Sequence, residues 1–375
     1  MDEATLRSIL IVAGTRPEII KIAPVILQAR NHHAADGMSV KLCLTGQHQS
    51  MAQEALSIFD IEPDADLEIM RHNQSLNDIS KAVYERLPPV VERIKPDVLL
   101  VQGDTTTAAV SALCAFNMKI PVGHIEAGLR SFNLEAPYPE ECNRRVISCL
   151  ATYNFCPTDA ARENLRRESV QEESLHVTGN TIVDAIRFIR DHKNIDNLQS
   201  VDSRVRQPFV LITAHRRESF GGGFQNICTA IKECALRFTD YQFVYPVHLN
   251  PNVQGPVNAL LNELPNVLLI RPVPYLQLLT LLKNCALVLT DSGGIQEEAP
   301  SFGKYCIVMR EVTERMESVN LGLSELVGTD VKKIVMAVER TVHRSEASQA
   351  MVSNPYGDGF ASERILKILA NAPTR

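Results

Sequence analysis

The residues best suited to chemistry lie in one stretch, HIEAGLRSFNLEAPYPEECNRR, which runs from His124 to Arg145. It holds four glutamates and three arginines, and it follows an apolar run. Gly128, Pro137 and Pro139 interrupt the stretch, so it does not fit one continuous, solvent-exposed charged helix. We therefore expect these charges to line a loop at the edge of a folded unit.

Three acids are the candidates for proton transfer: Asp104, Glu126 and Glu140. Glu126 ends an apolar run, where a buried acid is unfavourable unless solvent or a ligand satisfies it. Glu140 follows a proline, in the first turn of a predicted helix. Carboxyl groups brought to one strand edge raise one another's pKa, so a general acid and a general base can coexist near neutral pH. Asp104 has an equally weighted alternative as a helix cap, and we expect Glu135 and Glu141 to be solvated.

A first anion-binding turn is predicted in GTRPEIIK, directly after the first apolar run. Thr15 can cap a helix there, and Pro17 suits its first turn. Arg16 and Lys21 add positive charge where the helix dipole favours an anion. Taken singly, Lys21 has the alternative of an ordinary solvated lysine, but its neighbours favour a role in binding.

A second anion-binding turn is predicted in DSGGIQEE. Ser292, Gly293 and Gly294 offer backbone N–H groups at a strand-to-helix turn, for which an ordinary tight turn is the alternative. Glu298 favours nucleotide binding, because a carboxylate near phosphate is useful only if it reaches sugar hydroxyls. Neither turn has the spacing GxGxxG, so we predict no NAD and no other cofactor. His215, in AHRRE, lies at a strand end, and a buried structural histidine is an equal alternative.

Composition argues against several classes of protein. The chain has 375 residues, a formal net charge of −6, and no apolar run near the about 18 residues of a membrane-spanning helix. The charge argues against a nucleic-acid partner, and the first residues lack the charge of a signal peptide, so we expect a cytoplasmic protein without membrane contact. Most of the nine cysteines lie in apolar segments and are expected to be buried thiols. Cys142, Cys149 and Cys156 are spaced by seven, but no histidine joins them and we predict no metal site.

Short runs rich in Val, Ile and Leu alternate with amphipathic stretches, which is the pattern of βα units on a parallel sheet. The pattern starts afresh after a polar segment that we predict to be a linker. The predicted fold class is α/β, with two Rossmann-like, doubly wound parallel-sheet domains facing each other across a cleft. The predicted parts are an N-terminal domain with the catalytic acids at 1–186, the linker at 187–207, a second domain at 208–356, and a C-terminal helix packing on the first domain at 357–375.

Motifs spread along the chain resemble those of one family. They are GTRPEIIKIAPV, TGQH, QGDTTTA, HIEAGLRS, PEECNRR, VTGN, AHRRE, VHLNP, LTDSGGIQEEAP, REVTER and NPYGDG, in this order. Together they resemble the non-hydrolysing UDP-N-acetylglucosamine 2-epimerases nearly end to end. The resemblance implies a GT-B fold with its active site in the cleft, UDP binding by the second domain, and a homodimer. It also implies interconversion of UDP-GlcNAc and UDP-ManNAc for surface polysaccharides.

The same resemblance implies a mechanism and a role for individual residues. UDP leaves by anti elimination to give 2-acetamidoglucal and then adds back, while the C2 proton is delivered to the opposite face. Two faces require two proton-handling groups, which accounts for the cluster of acids. The implied catalytic residues are Asp104, Glu126, Glu140 and His215, with the histidine near the diphosphate. The implied residues for binding the UDP-sugar are Arg16, Lys21, Arg144, Ser292, Gly293, Gly294, Glu298 on the ribose, and Arg315.

Two departures from the family pattern concern ligands. Val273 and Leu278 stand where many members have a glutamine and a phenylalanine beside the uracil, which predicts looser recognition of the base. Ser50 and Asn73 stand where the pattern for activation by substrate has glutamine and arginine, which leaves activation by UDP-GlcNAc open. The departures also leave open a related UDP-N-acetylated sugar as the substrate.

Three other functions fit part of the sequence. A GT-B glycosyltransferase would use the same phosphate-binding turn, but it gives no reason for three acids in the first half of the chain. A hydrolysing epimerase would let water capture the intermediate. A non-catalytic UDP-sugar sensor would have no use for clustered acids.

Overall fold

The structure, a computed structural model, divides the chain into two compact units. The first unit comprises the described residues up to Phe188 and those from Tyr356 onwards, and the second runs from Ile189 to Pro355. The residues that the structure describes are 7–33, 37–46, 49–71, 73–216, 220–343 and 353–372, with the backbone alone described at 7, 32, 33, 49 and 50.

The described part of the first unit is built on seven strands. They are β1 (Arg7–Ala13), β2 (Met38–Leu44), β3 (Ala65–Asp66), β4 (Val98–Gln102), β5 (Val122–Ile125), β6 (Tyr153–Cys156) and β7 (Leu175–Val177). They pair in parallel in the order β3-β2-β1-β4-β5-β6-β7. Ile9, Leu10, Ile11 and Val12 of β1 are fully buried. An apolar run without alternation therefore forms a central strand, because helices cover both faces of such a sheet.

Among the described residues of this unit, seven helices follow the strands in the chain. They are α1 (Arg16–Gln28), α2 (Gln49–Ile58), α3 (Leu76–Ile94), α4 (Thr106–Asn117), α5 (Glu140–Leu150), α6 (Asp159–Arg167) and α7 (Thr181–His192). The side chains of Ser75, Thr105 and Thr158 cap α3, α4 and α6. The segment between β5 and α5 is neither helix nor strand, so the charged stretch is interrupted as its glycine and prolines predict.

The second unit, where the structure describes it, is built on six strands. They are β8 (Phe209–Thr213), β9 (Gln242–Pro246), β10 (Val267–Ile270), β11 (Leu287–Thr290), β12 (Cys306–Val308) and β13 (Ser324–Leu326). They pair in parallel in the order β10-β9-β8-β11-β12-β13. Its core includes the buried side chains of Val210, Ile212, Phe243 and Tyr245.

Six helices of the second unit and one C-terminal helix complete the described chain. They are α8 (Gly222–Arg237), α9 (Pro251–Leu261), α10 (Tyr275–Asn284), α11 (Gly293–Glu298), α12 (Met316–Asn320), α13 (Val331–Val342) and α14 (Ala361–Ala370). Short 3-10 helices occur at Glu172–Ser174, Leu198–Ser200 and Ala299–Phe302, and a π-helical turn at Ala29–His33. Among the described residues, no helix is both long and apolar enough to cross a bilayer.

The C-terminal helix α14 lies in the first unit. Asp184 of α7 accepts hydrogen bonds from the N–H groups of Ala361 and Ser362 at 3.2 and 2.8 Å. The guanidinium of Arg187 lies 4.2 Å from the ring centre of Phe360. An acid of one helix therefore caps the first turn of another.

In each sheet the strand order reverses between two neighbouring strands. These are β1 and β4 in the first unit, and β8 and β11 in the second. Doubly wound sheets bind ligands beyond the carboxyl ends of their strands at such switch points. The turns that follow these four strands are therefore the expected positions of a ligand site.

Candidate active site

Several of the predicted site residues lie beyond the strand ends at, or next to, these two switch points. In the first unit, α1 follows β1, Asp104 follows β4, and Glu126 follows β5. Strand β4 pairs with both β1 and β5, so these three turns are neighbours at one sheet edge. In the second unit, His215 follows β8 and Ser292 follows β11, and these two strands pair with each other.

Glu126 is buried in an ion pair. Its Oε2 accepts hydrogen bonds from Lys21 Nζ and, at 3.1 Å, from Gln102 Nε2. The side chains of Lys21 and Glu126 are 9% and 6% exposed, so the interpretation of Lys21 as a solvated lysine is wrong. Glu126 also has a φ of +70°, a left-handed conformation that is strained for glutamate and that is enriched at functional sites.

Asp104 pairs with Arg144 of α5. Arg144 donates to Asp104 Oδ2 from Nε at 2.9 Å and from Nη2 at 2.7 Å. Asn143 Nδ2 donates to the backbone carbonyl of Asp104 at 2.8 Å. Thr105 is the residue that caps α4, because its Oγ1 accepts from the N–H of Ala108 at 3.0 Å. The helix-cap alternative for Asp104 is therefore wrong.

Two adjacent glutamates begin α5, and their surroundings differ. Glu140 is half-buried in the first turn. Glu141 is fully buried and accepts hydrogen bonds from the N–H groups of Ser131 and Phe132 at 2.9 and 3.1 Å. The expectation that Glu141 is solvated is wrong, because its carboxylate anchors the loop that leads into α5. Glu135 in that loop is exposed.

Glu18 is a buried acid to which the sequence motifs gave no role. Its carboxylate accepts hydrogen bonds from the N–H groups of Gly14 and Thr15 at 3.1 and 2.7 Å, and from Thr105 Oγ1 at 2.8 Å. Burial raises the pKa of Glu18, and these hydrogen bonds oppose the shift. The N–H groups of the two residues directly before α1 are thus already bonded to the carboxylate of Glu18 within that helix. The available signal was the capping-box spacing, a glutamate three residues after Thr15.

His124 of β5 is a second residue that the motifs left without a role. It is fully buried, and its Nε2 lies 2.7 Å from the carbonyl oxygen of Gly103, so Nε2 carries the proton. Burial lowers the pKa of His124 to about 4, and the Arg130 guanidinium contributes in the same direction. His124 is therefore a neutral imidazole that donates a hydrogen bond to Gly103, the residue directly before Asp104.

The turn after β11 brings an arginine against a glycine. Ser292 caps α11, and Gly293 and Gly294 are the first two residues of that helix. The guanidinium of Arg315 lies over Gly293, where an added Cβ would come within 2.9 Å of Cζ and Nη1. Only glycine fits this close approach without a shift of the arginine.

Carboxylates hold Arg315 in place, and a tyrosine hydroxyl holds the acid Glu298. Arg315 Nε donates to Glu297 Oε1 at 2.9 Å, and Nη1 donates to Glu314 Oε2 at 3.1 Å. Glu298, the last residue of α11, is buried, and its Oε1 accepts a hydrogen bond from the Tyr275 hydroxyl at 2.9 Å. A cation at the start of α11 and a carboxylate at its end are therefore both oriented.

His215 is partly exposed, with 44% of its side chain accessible, so the alternative of a buried structural histidine is wrong. The backbone N–H groups of His215 and Arg216 donate to Asp291 Oδ2 at 2.7 and 2.8 Å. The ring of His215 stacks on His248, with centroids 5.2 Å apart. Asp291 is fully buried, and burial raises its pKa. This acid, which directly precedes Ser292, anchors the turn after β8 to the end of β11.

The remaining predicted residues are more scattered. Arg16 is the first residue of α1 and is half-buried, as are Val273 and Leu278 near the start of α10. Asn73 has a φ of +57°. The side chain of Ser50 lies outside the described part of the structure, as do Gln47 and His48 of the TGQH motif.

The three cysteines that are spaced seven residues apart do not share one surface. Cys142 and Cys149 are exposed on α5, whereas Cys156 is buried at the end of β6. Within the described ranges, no group of three His, Cys, Asp or Glu side chains could hold a metal ion.

Comparison with known proteins identifies the family. A sequence model of the family UDP-N-acetylglucosamine 2-epimerase matches residues 30–370. The chain belongs to this family. The resemblance drawn from the motifs is thereby confirmed, and the protein is an epimerase, an isomerase by reaction class.

Relatives match the chain over nearly its whole length. The UDP-N-acetylglucosamine 2-epimerase of Yersinia pestis is 48% identical, covering 97% of this chain and 98% of that protein. The crystal structure of the UDP-GlcNAc 2-epimerase from Neisseria meningitidis bound to UDP-GlcNAc is 42% identical, with a TM-score of 0.90 and coverage of 97% and 100%. The Methanocaldococcus jannaschii UDP-GlcNAc 2-epimerase, in complex with UDP-GlcNAc and UDP, is 34% identical, with a TM-score of 0.84 and the same coverage. The predicted α/β fold class, GT-B with two Rossmann-like parallel-sheet domains, is confirmed.

Proposed function

We propose that the protein is a non-hydrolysing UDP-N-acetylglucosamine 2-epimerase that interconverts UDP-GlcNAc and UDP-ManNAc. The observation that carries this proposal is a pair of carboxylates, Glu126 and Asp104, each held by a basic side chain at one sheet edge. Membership of the family and the bound UDP-GlcNAc of the Neisseria meningitidis relative support the choice of substrate.

The proposed reaction begins at C2 of the sugar. No carbonyl adjoins C2, so its proton is too weakly acidic for a carboxylate to remove unless another bond breaks as well. Departure of UDP meets this need: the electrons of the C2–H bond form a C1–C2 double bond, and those of the C1–O bond leave with the diphosphate. The products of this anti elimination are 2-acetamidoglucal and UDP.

The second half of the reaction restores the sugar nucleotide with inverted C2. UDP adds to C1 while a proton is delivered to C2 from the opposite face of the ring. The group that delivers this proton differs from the group that removed the first, so the enzyme needs two proton carriers. Asp104 and Glu126 are the proposed carriers, and Glu140 at the start of α5 is the third catalytic acid.

The basic and amide partners of these acids have a positioning role in the proposal. Lys21 and Gln102 both donate to Oε2 of Glu126, and Arg144 makes two hydrogen bonds to Oδ2 of Asp104. Carboxylates held in this way keep a fixed orientation toward the sugar. Fixed placement of reacting groups is a large part of enzymatic rate enhancement.

The second unit would bind the UDP moiety. The N–H groups at the start of α11 and the guanidinium of Arg315 suit a diphosphate. Glu298 would exchange its bond from Tyr275 for a bond from a ribose hydroxyl. His215, on the neighbouring strand end, adds a further donor for the diphosphate.

The oligomeric state, the cellular location and the metabolic role of the enzyme are part of the same proposal. It would act as a homodimer in the cytoplasm, without a metal or cofactor, and supply UDP-ManNAc for surface polysaccharide precursors. A related UDP-N-acetylated sugar is the alternative substrate, which the departures at Val273 and Leu278 suggest.

Isotope exchange tests the proposal. UDP-GlcNAc is incubated with the protein in heavy water, and the sugar nucleotides are analysed by NMR. We expect deuterium at C2 of both epimers and slow release of UDP with 2-acetamidoglucal. The proposal is overturned if no deuterium enters C2 of any UDP-N-acetylhexosamine. Free ManNAc as the main product would identify a hydrolysing epimerase instead.

Amide variants test the two proton carriers. Glu126→Gln and Asp104→Asn each remove a carrier with little change of shape, so turnover should fall by roughly 10²-fold or more. Calorimetric titration with UDP serves as the control, because binding by the second unit should be unchanged. Turnover close to that of the wild type in both variants would remove these acids from the mechanism.

A further inference from the structure

Glu18 joins two turns at the edge of the first sheet. It is the third residue of α1 and is 2% exposed. Two of its donors are local, the N–H groups of Gly14 and Thr15. The third is Thr105 Oγ1 at 2.8 Å, 87 positions further along the chain. These hydrogen bonds connect the turn after β1 with the turn after β4.

Each of the joined turns leads to a proposed proton carrier. Thr105 directly follows Asp104 and caps α4. Lys21 lies one helical turn after Glu18 on α1, and its ammonium group is bonded to Glu126. A shift of α1 relative to α4 would therefore move the partner of Glu126 relative to Asp104.

A carboxylate suits this link better than a neutral side chain. The N–H groups of Gly14 and Thr15 and the hydroxyl of Thr105 all donate, and they match a carboxylate, whose two oxygens both accept. Thr105 Oγ1 accepts from the N–H of Ala108, so its own proton is available to Glu18. A glutamine would have to present its NH₂ group either to Thr105, which reverses that bond, or to the two N–H groups, which breaks both bonds.

We propose that Glu18 is a positioning residue that sets the spacing between Asp104 and the Lys21–Glu126 pair. This inference rests on the proposed epimerase function. With the link intact, both carriers stay at the sugar, and the glycal receives its new C2 proton before it escapes. With the link broken, one carrier lies out of place, and the glycal leaves with UDP more often.

The fate of the 2-acetamidoglucal intermediate, which is either released or converted to product, tests this role. The measured quantity is the amount of free 2-acetamidoglucal released per epimerisation event, determined by NMR with UDP-GlcNAc in heavy water. This ratio does not depend on how much of the enzyme is folded, so a merely structural loss leaves it unchanged. Glu18→Ala should raise the ratio roughly tenfold or more, and Glu18→Gln should raise it less.

A second variant removes the donor on the other turn. Thr105→Val lacks the hydroxyl that bonds Glu18, so it should also raise the ratio. The double variant Glu18→Ala/Thr105→Val should raise the ratio by less than the product of the two single effects, because the bond between Glu18 and Thr105 is already absent in either single variant.

The chain contains a matched control at the start of α3. Ser75 Oγ accepts from the N–H of Asp78, and Asp78 accepts from the N–H of Ser75 at 2.9 Å, on an exposed surface. Asp78→Ala and Ser75→Ala therefore weaken a helix start of the same kind, in which the bonds between these two residues do not reach the turns that hold Asp104 and Glu126. Both should leave the ratio at the wild-type value.

The outcomes distinguish failure of the positioning role of Glu18 from failure of the proposed epimerase function. Wild-type exchange at C2 with an unchanged ratio in the Glu18 variants overturns the positioning role alone. A ratio that also rises in Asp78→Ala overturns it too, because any weakened helix start would then suffice. Absence of C2 exchange in the wild type overturns the proposed function and the positioning role with it. If Glu18→Ala does not fold, Glu18→Gln and Thr105→Val decide.

Discussion

Lys21 and Glu126 form an ion pair in the interior of the first unit, although 105 positions separate them in the chain. Both side chains are more than nine-tenths buried, and Gln102 donates to the same carboxylate oxygen. Two charges removed from water in this way are stable only together, because either one alone would be buried without compensation. The pair therefore couples the fold of this unit to the placement of a proposed proton carrier.

Removal of the lysine should destabilise the protein. Lys21→Met leaves the Glu126 carboxylate buried without its cation, so the free energy of unfolding should fall by about 3 kcal/mol or more. Adding Glu126→Gln should recover part of this loss, because the unpaired charge is then gone. Denaturant unfolding of both single variants and the double variant measures the effect. Simple additivity of the two single effects would contradict the coupling of these side chains.

His124 should make stability depend on pH in the acidic range. Its pKa is about 4 in the folded protein and about 6.5 in an unfolded chain, chiefly because of burial. As the pH falls below 6.5, the unfolded chain takes up a proton that the folded protein refuses. Stability is therefore lost progressively down to about pH 4, by about 3 kcal/mol in total from this residue.

Replacement of the histidine checks this dependence. His124→Gln keeps an NH₂ group that can donate to the carbonyl of Gly103 but has no proton to gain. The variant should show a flatter decline of unfolding free energy between pH 6.5 and pH 4, measured by urea denaturation at several pH values. A decline as steep as that of the wild type would assign the pH dependence to other groups.

A methyl group at Gly293 should weaken UDP binding. In Gly293→Ala the new Cβ would meet the Arg315 guanidinium at 2.9 Å, so the arginine must leave its present position. Loss of one charge-assisted contact to a phosphate corresponds to about 2 kcal/mol, roughly 30-fold in affinity. Isothermal titration with UDP measures this loss. Gly255→Ala is the control, because nothing lies within 4 Å of its added Cβ, and it should bind UDP like the wild type.

Two residues near the start of α10 should limit affinity for the base. Val273 and Leu278 are half-buried beside Tyr275 and stand where many family members have glutamine and phenylalanine. Val273→Gln restores a hydrogen-bonding side chain and Leu278→Phe an aromatic surface, each worth on the order of 1 kcal/mol, or about fivefold in UDP affinity. Titration of each variant with UDP tests the expectation. Equal or weaker binding would show that the segment has another way of holding the nucleotide.

Much of the fold followed from local patterns. Apolar runs such as Ile9 to Val12 became central strands because a parallel sheet buries both faces of each strand. Glycine, proline and charged residues directly after these runs identified the turns in which Asp104, Glu126 and Ser292 lie. Such signals are read within about ten residues of sequence, so the sequence alone determined which turns hold the candidate chemistry.

The partners of those residues were decided by the tertiary structure. The sequence did not reveal that Lys21 is bonded to Glu126 or that Glu18 reaches Thr105, because these contacts depend on the strand order β1-β4-β5. Glu141 illustrates the same limit: its charge predicted solvent, yet the folded loop surrounds it with donors. A buried charge is stable only with hydrogen-bonding or charged partners. For Lys21 and Glu126, strand order rather than residue type brings those partners together.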